Sequence, residues 1–380
     1  MTFAAAFLVS FLLALAIVRS QGRHGRLSYD HDLSGPQKFH AAAVPRIGGV
    51  GIFAGVLAAI FLVAAREPLD VDPMFVLLAC AMPTLLSGLV EDFTKRVPPR
   101  WRLVLTAMSA VLALLWLGAR IERLDVHALQ WLLLWPLEAA ALTVFVVTGT
   151  TNAVNLIDGF NGLASMSVAI MLSAIGLVAW WVHDALVCEL AFAVVGAVLG
   201  FFAFNFPRGR IFLGDGGAYF IGFMLVELGL LLLHRNPQVS AMFPLLVCGY
   251  PIFETIFTMY RRRFVQRTAT GLPDAMHLHH LVFRRVSRRA FDRQGRPRSL
   301  TWRNSATSPY LWMVCACAAV PAVCFWNDTY VLLAFIGVFM LGYVALYRRL
   351  DPRLERALAA KADPSSAELR IAHTLTGTED

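Results

Sequence analysis

The sequence has few charged residues and no region long enough to fold alone as a soluble domain. Charged residues make up 15% of the 380 positions, and hydrophobic residues make up 58%. Soluble domains are typically about a quarter charged. The composition therefore excludes an ordinary water-soluble enzyme and places the chain among membrane proteins.

Cysteine is also scarce, and its positions have no spacing typical of a metal site. The six cysteines all lie within apolar segments, at Cys80, Cys188, Cys248, Cys315, Cys317 and Cys324. We interpret them as small buried hydrophobic residues. A zinc cluster and a disulfide framework are therefore not expected.

Basic residues are almost missing from every second connection between apolar segments. A transmembrane helix needs about 20 apolar residues, and about eleven such segments are predicted, at residues 2–18, 46–65, 74–90, 103–119, 131–151, 163–182, 186–206, 212–233, 241–260, 309–326 and 330–347. Of the 33 Lys and Arg residues, 29 fall on one predicted side, and four (Arg66, Arg120, Arg123, Arg235) fall on the other. Positive charge favours the cytoplasmic side.

This pattern predicts an all-α, polytopic membrane protein with its N-terminus outside and its C-terminus in the cytoplasm. The net charge of +8 follows from that topology and needs no nucleic-acid binding. Basic residues follow the first apolar segment and none precede it, so we expect an uncleaved anchor. We predict one membrane domain over residues 1–349 and a partly disordered cytoplasmic tail over residues 350–380.

Five polar clusters interrupt the apolar pattern, all on the predicted cytoplasmic side. They are residues 38–49, the pair Glu91-Asp92, residues 152–162, residues 214–216, and the histidines His277, His279 and His280. Ionisable residues at membrane depth are costly and are usually functional. Their common side indicates a single phosphate- and metal-binding site.

The acidic pair Glu91-Asp92 ends the third apolar segment. Adjacent carboxylates repel each other unless a cation compensates, and basic residues follow closely, at Lys95, Arg96, Arg100 and Arg102. The alternative interpretation is an ordinary solvated helix end.

An oxygen-rich pattern follows the fifth segment, because Asn152, Asn155, Asp158 and Asn161 recur every three residues. On a helix this spacing places the four side chains along one face. Amide and carboxylate oxygens suit a hard cation and a nucleotide. The alternative is polar contact between helices.

The remaining clusters each allow two interpretations. Asp215, among glycines at a helix start, is either a helix cap or a cation ligand beside an anion site. The histidines, partly charged and followed by arginines, favour a pyrophosphate over zinc or a solvated loop. Lys38 and Arg46 either offer positive charge to an anionic substrate or only reflect the excess of basic residues on the cytoplasmic side. Glu254 is interpreted as a packing group or a partner of the arginines at 261–263.

Taken in order along the chain, these motifs resemble those of the polyprenyl-phosphate N-acetylhexosamine-1-phosphate transferase family, glycosyltransferase family 4. The pattern His277-x-His279-His280 is similar to that of the branch that uses UDP-N-acetylglucosamine and related sugars. Two residues depart from the family pattern. Glu91 stands in place of the first paired aspartate, and Asn161 replaces the second aspartate of the Asp-Gly-x-Asp-Gly run, so Asn161 is not expected to act as a base.

The resemblance implies a Mg²⁺-dependent reaction, with Mn²⁺ as an alternative, in the bacterial inner membrane. An amino-sugar 1-phosphate would pass from a UDP-N-acetylhexosamine to undecaprenyl phosphate, releasing UMP and starting the assembly of a surface polysaccharide such as O-antigen or teichoic acid. Membrane lipids and a homodimer are further expected partners. The alternatives are a phospho-N-acetylmuramoyl-pentapeptide transferase and a lipid or nucleotide-sugar transporter.

The resemblance also implies roles for individual residues. Catalytic roles fall to Glu91, Asp92 and Asp158, and Mg²⁺ ligation falls to Asn155 and Asp215. Nucleotide or diphosphate contacts are expected from Asn152, His277, His279, His280, Lys38 and Arg46. Lys95, Arg261 and Arg284 are expected at the lipid phosphate or behind the site.

Overall fold

All regular structure in the described part of the chain is helical. The computed structural model describes residues 1–20, 44–66, 71–268, 274–291 and 294–351. Within these ranges the helices are α1 Thr2–Arg19, α2 Gly48–Ala64, α3 Asp72–Cys80, α4 Met82–Thr94, α5 Pro99–Leu117, α6 Pro136–Leu156, α7 Leu163–Trp181, α8 Ala185–Asn205, α9 Gly214–Arg235, α10 Met242–Val247, α11 Gly249–Tyr260, α12 Leu278–Arg289, α13 Leu300–Ser305, α14 Ser308–Cys324 and α15 Thr329–Leu350. A 3₁₀ helix, His127–Leu133, precedes α6, and a π-helix, Arg261–Gln266, continues α11.

The helices confirm a polytopic membrane protein. Eight spans in the described ranges are long and apolar enough to cross a bilayer, and the bent pair α3–α4 makes a ninth. Helices satisfy their own backbone hydrogen bonds, which lipid cannot do. The predicted spans at 46–65 and 241–260 contain the 17-residue α2 and the broken pair α10–α11. The number eleven and the orientation of the termini stay predictions.

Proline explains why one predicted span contains two helices. The segment predicted at residues 74–90 bends by 40° between α3 and α4. Pro83 lies in the first turn of α4. Because proline has no backbone N–H, it is tolerated there but interrupts the hydrogen bonds of a continuous helix. The sequence pattern of apolar residues alone did not reveal this break.

Helix α9 forms the centre of the bundle and is buried along most of its length. It packs against α2 and α4 through facing glycines. A Cβ added at Gly49 would lie 2.4 Å from the backbone N of Gly217, and one at Gly88 would lie 2.4 Å from that of Gly216. Small residues allow this approach between backbones. The same contacts bring the ends of α2 and α4 to the start of α9.

Candidate active site

The N-terminus of α9 is capped by an aspartate from α4. Asp92 accepts hydrogen bonds from the backbone N–H groups of Asp215 and Gly216, at 2.8 and 2.9 Å. A Cβ at Gly214 would lie 2.5 Å from the Asp92 Oδ2, and the φ of Gly214 is +75°, so glycine is required there. One interpretation of the sequence made Asp215 the cap of its own helix; the structure gives that role to Asp92.

The carboxylate of Asp215 instead faces two arginines. Arg102, from the first turn of α5, forms an ion pair with Oδ2, and the Nη2 of Arg46 lies 3.5 Å from Oδ1. The Nε of Arg46 also lies 3.7 Å from Oδ1 of Asp92. The side chain of Asp215 is 15% exposed, whereas that of Asp92 is fully enclosed. Asp215 therefore presents its charge to the two arginines, and Asp92 holds the backbone that carries it.

The end of α6 places two amides beside this turn. Tyr219, which follows Asp215 by one helical turn on α9, donates its hydroxyl to the Oδ1 of Asn152 at 3.2 Å and also interacts with Asn155. Asn152 in turn donates its Nδ2 to the carbonyl of Thr148 at 2.8 Å. The two amide side chains are thus ordered next to Asp215.

The prediction that four polar residues share one helix face is wrong. Helix α6 ends at Leu156, and the chain then turns, with Gly162 at a φ of +73°. Asn161 consequently points away from the acids. Its Nδ2 donates to the Oγ of Ser305 at 3.1 Å, and its backbone N–H donates to the Oδ1 of Asn304 at 2.8 Å. Asn161 joins the turn to α13.

Asp158, a further acid of the cluster, lies on this turn. The pKa of Asp158 is raised to about 7, mainly by burial, while Arg46 lowers it and the charge of Asp215 raises it. These interactions place Asp158 within electrostatic range of both the Asp215 carboxylate and the Arg46 guanidinium. The turn that replaces the expected helix therefore still delivers this carboxylate to the cluster.

The histidine motif contacts the same turn from the other side. A Cβ at Gly159 would lie 3.2 Å from the Nε2 of His279. The ring of Phe160 packs edge-on against His279 and His280, with centroids 5.6 and 6.0 Å apart. The rings of His277 and His279 stack at 5.2 Å. Residues more than a hundred positions apart in the chain thus form one wall.

Two of the histidines are neutral, which corrects the expectation of partly charged rings. The pKa of His280 is lowered to about 3, mainly by burial and then by the neighbouring His277. The pKa of His279 is held well below its ordinary value by burial and then by the other two histidines. Neutral imidazoles offer hydrogen bonds but no positive charge. Positive charge near the acids comes from the arginines.

The structure locates the other predicted residues at the rim or behind the site. Glu91 accepts a hydrogen bond from the backbone of Val97 at 2.8 Å. Lys95 is exposed at the end of α4. Arg261 is buried and forms an ion pair with Asp274. Arg284 donates to the carbonyl of Ala275 at 2.9 Å. Lys38 lies outside the described residues.

Three residues in or behind the site were not predicted as site residues. Arg102 was considered only as a compensating charge for the acidic pair, and Glu254 as a partner of the arginines that follow it. Tyr219 was not considered, although its position one turn after Asp215 is a readable signal. Glu254 instead contacts the histidines, with Oε1 3.0 Å from the Nδ1 of His277. No local sequence pattern predicts this contact, because 23 residues separate Glu254 and His277.

The bundle of apolar helices and the polar cluster at one end of it define a polytopic membrane protein with an acid-, amide- and histidine-lined site. The family model for glycosyl transferase family 4 matches residues 74–233. This range contains the acidic pair, the asparagine motif and the Asp215 turn.

Comparison with characterised proteins identifies the family. A protein of Bacillus subtilis (strain 168), a probable undecaprenyl-phosphate N-acetylglucosaminyl 1-phosphate transferase, is 31% identical over 281 residues, covering 72% of this chain and 75% of the relative. The undecaprenyl-phosphate alpha-N-acetylglucosaminyl 1-phosphate transferase of Salmonella typhi is 27% identical over 67% of this chain and 70% of the relative. A phospho-N-acetylmuramoyl-pentapeptide-transferase of Streptococcus pneumoniae (strain Taiwan19F-14) is 30% identical over 60% and 69%.

The chain therefore belongs to glycosyl transferase family 4, which confirms the resemblance read from its motifs.

Proposed function

We propose that the protein transfers an N-acetylamino-sugar 1-phosphate from a UDP-sugar to undecaprenyl phosphate. An oxygen of the lipid phosphate bonds to the β-phosphorus of the UDP-sugar, the bond between that phosphorus and the bridging oxygen breaks, and UMP leaves. The products are undecaprenyl-pyrophosphoryl-sugar and UMP. The names of the Bacillus and Salmonella relatives support the acceptor and the sugar class.

The observation that carries this proposal is the convergence of Asp158, Asp215 and Asn155 with two arginines. Several negative charges meet in this reaction, so their neutralisation and alignment account for most of the catalysis. Arg46 and Arg102 already reach Asp215 and are placed to hold phosphate oxygens. A membrane scaffold without activity gives no reason for such a cluster.

We propose that Asp158, rather than Glu91 or Asp92, accepts the proton of the lipid phosphate. Both oxygens of Asp92 accept backbone N–H groups, and the Oε2 of Glu91 accepts one from Val97. Asp158 is only half-buried, and its pKa near 7 suits an acceptor that works at neutral pH. Asp92 and Glu91 then act by holding the backbone around the site.

The donor atoms at Asn155 and Asp215 fit Mg²⁺. Both are hard oxygen ligands, and Asp158 adds a further carboxylate within electrostatic range of Asp215. Within the described ranges, no three His, Cys, Asp or Glu side chains are arranged to hold a metal. Mg²⁺ typically uses one or two carboxylates and substrate phosphates. Bound there, it would neutralise phosphate charge and stabilise the leaving UMP.

An apolar groove supplies a place for the polyprenyl tail. It has a volume of about 650 Å³ and lies between α5 and α6, lined by Leu103, Ala107, Val111, Leu137, Phe145 and Gly149 among others. Leu103 follows Arg102 in the chain, and Thr148, also in the lining, accepts the hydrogen bond of Asn152. The groove thus leads from the hydrophobic surface to the polar cluster.

We further propose eleven spans, a cytoplasmic site and an outside N-terminus. The distribution of 29 of the 33 basic residues on the side of the site supports this orientation. A transporter would hold its polar groups near the middle of the bilayer on broken helices. The alternative is a muramoyl-pentapeptide donor, which the name of the Streptococcus relative supports. The pattern His277-x-His279-His280 favours an N-acetylglucosamine-type donor.

The experiment that tests this function incubates the purified protein with undecaprenyl phosphate, Mg²⁺ and one UDP-amino sugar at a time. We expect UMP release with a UDP-N-acetylhexosamine, dependent on both the lipid and Mg²⁺. Release only with the muramoyl-pentapeptide donor would support the alternative. Uptake of intact UDP-sugar into proteoliposomes without UMP would contradict the proposal.

A further inference from the structure

Glu254 is a fully buried acid in α11 whose two oxygens are both occupied. Oε1 lies 3.0 Å from the Nδ1 of His277 and 3.2 Å from the backbone N of Leu278. Oε2 accepts the hydroxyl of Tyr343, from α15, at 2.6 Å. A carboxyl group buried at such a depth is costly unless it is fully hydrogen-bonded. The carboxylate thus joins three separate parts of the chain at the histidine motif.

These contacts fix the direction of the hydrogen bond to His277. The backbone N–H of Leu278 can only donate, so Oε1 of Glu254 is the acceptor in that contact. A carboxylate can only accept, so opposite it the Nδ1 of His277 carries a hydrogen and donates it to Oε1, to which the hydroxyl of Thr258 also donates at 3.4 Å. The hydrogen bond at one ring nitrogen sets the state of the other. Glu254 thereby leaves Nε2 as the nitrogen turned away from α11, where it lies 3.9 Å from the Oδ2 of Asp274.

Helix α15 holds the same segment through a second tyrosine. Tyr347, one turn after Tyr343, donates its hydroxyl to the carbonyl of Met276 at 2.6 Å. The residue that precedes His277 and the carboxylate that binds its ring are thus fixed by one helix. Because His277 stacks on His279, and His279 contacts Gly159, this orientation is transmitted to the turn that bears Asp158.

We propose that Glu254, supported by Tyr343, is a positioning residue that fixes the tautomer and orientation of His277 for binding of the UDP-sugar diphosphate. This inference rests on the proposed function for its substrate. It predicts that loss of Glu254 weakens the nucleotide-sugar site and leaves the lipid-phosphate site unchanged.

The kinetic test compares Glu254→Leu with the matched control Glu227→Leu. Glu227 is also fully buried, in α9, and neither of its carboxyl oxygens has a hydrogen-bond partner among the described residues. We expect Glu254→Leu to raise the KM for the UDP-sugar about ten- to hundredfold, the range found when a carboxylate that orients a metal-bound histidine is lost. The KM for undecaprenyl phosphate stays within about twofold. Glu227→Leu changes neither KM.

Two milder variants keep the proposal testable if Glu254→Leu does not fold. Glu254→Gln retains an acceptor oxygen for Nδ1–H and should restore most of the wild-type KM for the UDP-sugar. Tyr343→Phe removes only the bond to Oε2 and should raise that KM about two- to tenfold, the range of one lost hydrogen bond. Equal changes in the KM values for both substrates, or a change in kcat alone, would show that Glu254 has only a structural role. Either result would overturn the proposal.

A second readout does not depend on turnover. In protein with ¹⁵N-labelled histidine, the signal of His277 is assigned by its disappearance in His277→Gln. We expect a protonated Nδ1 in wild type and Glu254→Gln, and a mixture of tautomers in Glu254→Leu. An unchanged spectrum in Glu254→Leu would refute the positioning role. Should wild type release no UMP with any UDP-sugar, the proposed function fails and this spectrum alone decides the role of Glu254.

Discussion

Two aspartates that the sequence analysis assigned to the same site have different tasks in this molecule. Asp92 is enclosed and accepts two backbone N–H groups at the start of α9, while Asp215 faces Arg46 and Arg102. The family resemblance made Asp92 catalytic and Asp215 a Mg²⁺ ligand, but it did not indicate that Asp92 caps α9, because these contacts join separate helices. Asn161 shows the same limit, since its partners Asn304 and Ser305 lie over 140 residues away.

Substituting each aspartate in turn distinguishes the tasks of Asp92 and Asp215. We expect Asp215→Asn to lower the rate of UMP release by about 10²- to 10³-fold with no loss of folded protein, because a charge at the reacting phosphates is removed. Asp92→Asn should lose activity and also about 1–3 kcal/mol of stability, because one buried N–H is left without an acceptor. UMP release and the thermal unfolding midpoint in detergent measure the two effects.

Asp72→Asn, at an exposed position in the first turn of α3, is the control and should change neither quantity. Equal stability of Asp92→Asn and Asp215→Asn would contradict the division of tasks.

Acidification should loosen α12. Folded His280 has a pKa of about 3, because of burial, against an ordinary value of 6.5, so only the undocked helix takes up a proton between these values. Docking is therefore fully stable above about pH 6.5 and weakens below it. From pH 7.5 to 5.5 the expected loss is about 1.4 kcal/mol for each such histidine.

Amide hydrogen exchange of residues 278–289, corrected for its intrinsic pH dependence, measures this loss. His280→Gln removes one titrating group and should flatten the pH dependence. Protection of α12 that stays constant from pH 7.5 to 5.5 would show that the histidines are not buried as neutral rings.

The apolar segments of the sequence predicted most of the long helices, but they did not predict where helices break. The apolar runs located α1, α7, α8, α9 and α15 within a few residues, because a bilayer demands long apolar helices. The division of residues 74–90 depends on Pro83, and the end of α6 at Leu156 depends on tertiary contacts of the following turn. Periodicity therefore placed Asp158 near Asn155 but assigned the wrong geometry.

Contact between α4 and α9 requires glycine. A Cβ at Gly88 would lie 2.4 Å from the backbone N of Gly216, and neither backbone can move freely in the packed bundle. We expect Gly88→Ala to cost about 1–3 kcal/mol through overpacking and to lower the thermal unfolding midpoint. Activity should fall as well, because the same contact positions Asp215.

Gly337→Ala is the matched control in α15, where an added Cβ meets nothing within 4 Å. It should leave the midpoint unchanged or raise it slightly, since alanine favours a helix. A Gly88→Ala protein as stable and active as Gly337→Ala would exclude the close packing of α4 and α9.

The whole molecule brings together motifs that are distant in the chain, and their order and common side were readable from the sequence. The family resemblance and the polytopic helical architecture are confirmed. The groove between α5 and α6 was not locatable, because its lining residues are ordinary apolar residues that differ from other lipid-facing positions only by their arrangement.

Blocking the groove tests its role in binding the lipid tail. Ala141→Trp places a large ring in the lining, and we expect the KM for undecaprenyl phosphate to rise about tenfold or more, because each displaced methylene costs about 0.8 kcal/mol. A short-chain polyprenyl phosphate should be much less affected. Val338→Trp, on an exposed position of α15, is the control. Equal effects of both substitutions on the long and the short lipid would exclude the groove.

The most direct measurement follows a label on the β-phosphate of the UDP-sugar during incubation with undecaprenyl phosphate, Mg²⁺ and the purified protein. The account predicts that the label moves into the lipid fraction in a one-to-one ratio with UMP, and that Asp215→Asn slows this movement by about 10²- to 10³-fold. Label remaining in UDP while sugar alone reaches the lipid, or an equally active Asp215→Asn, would contradict it.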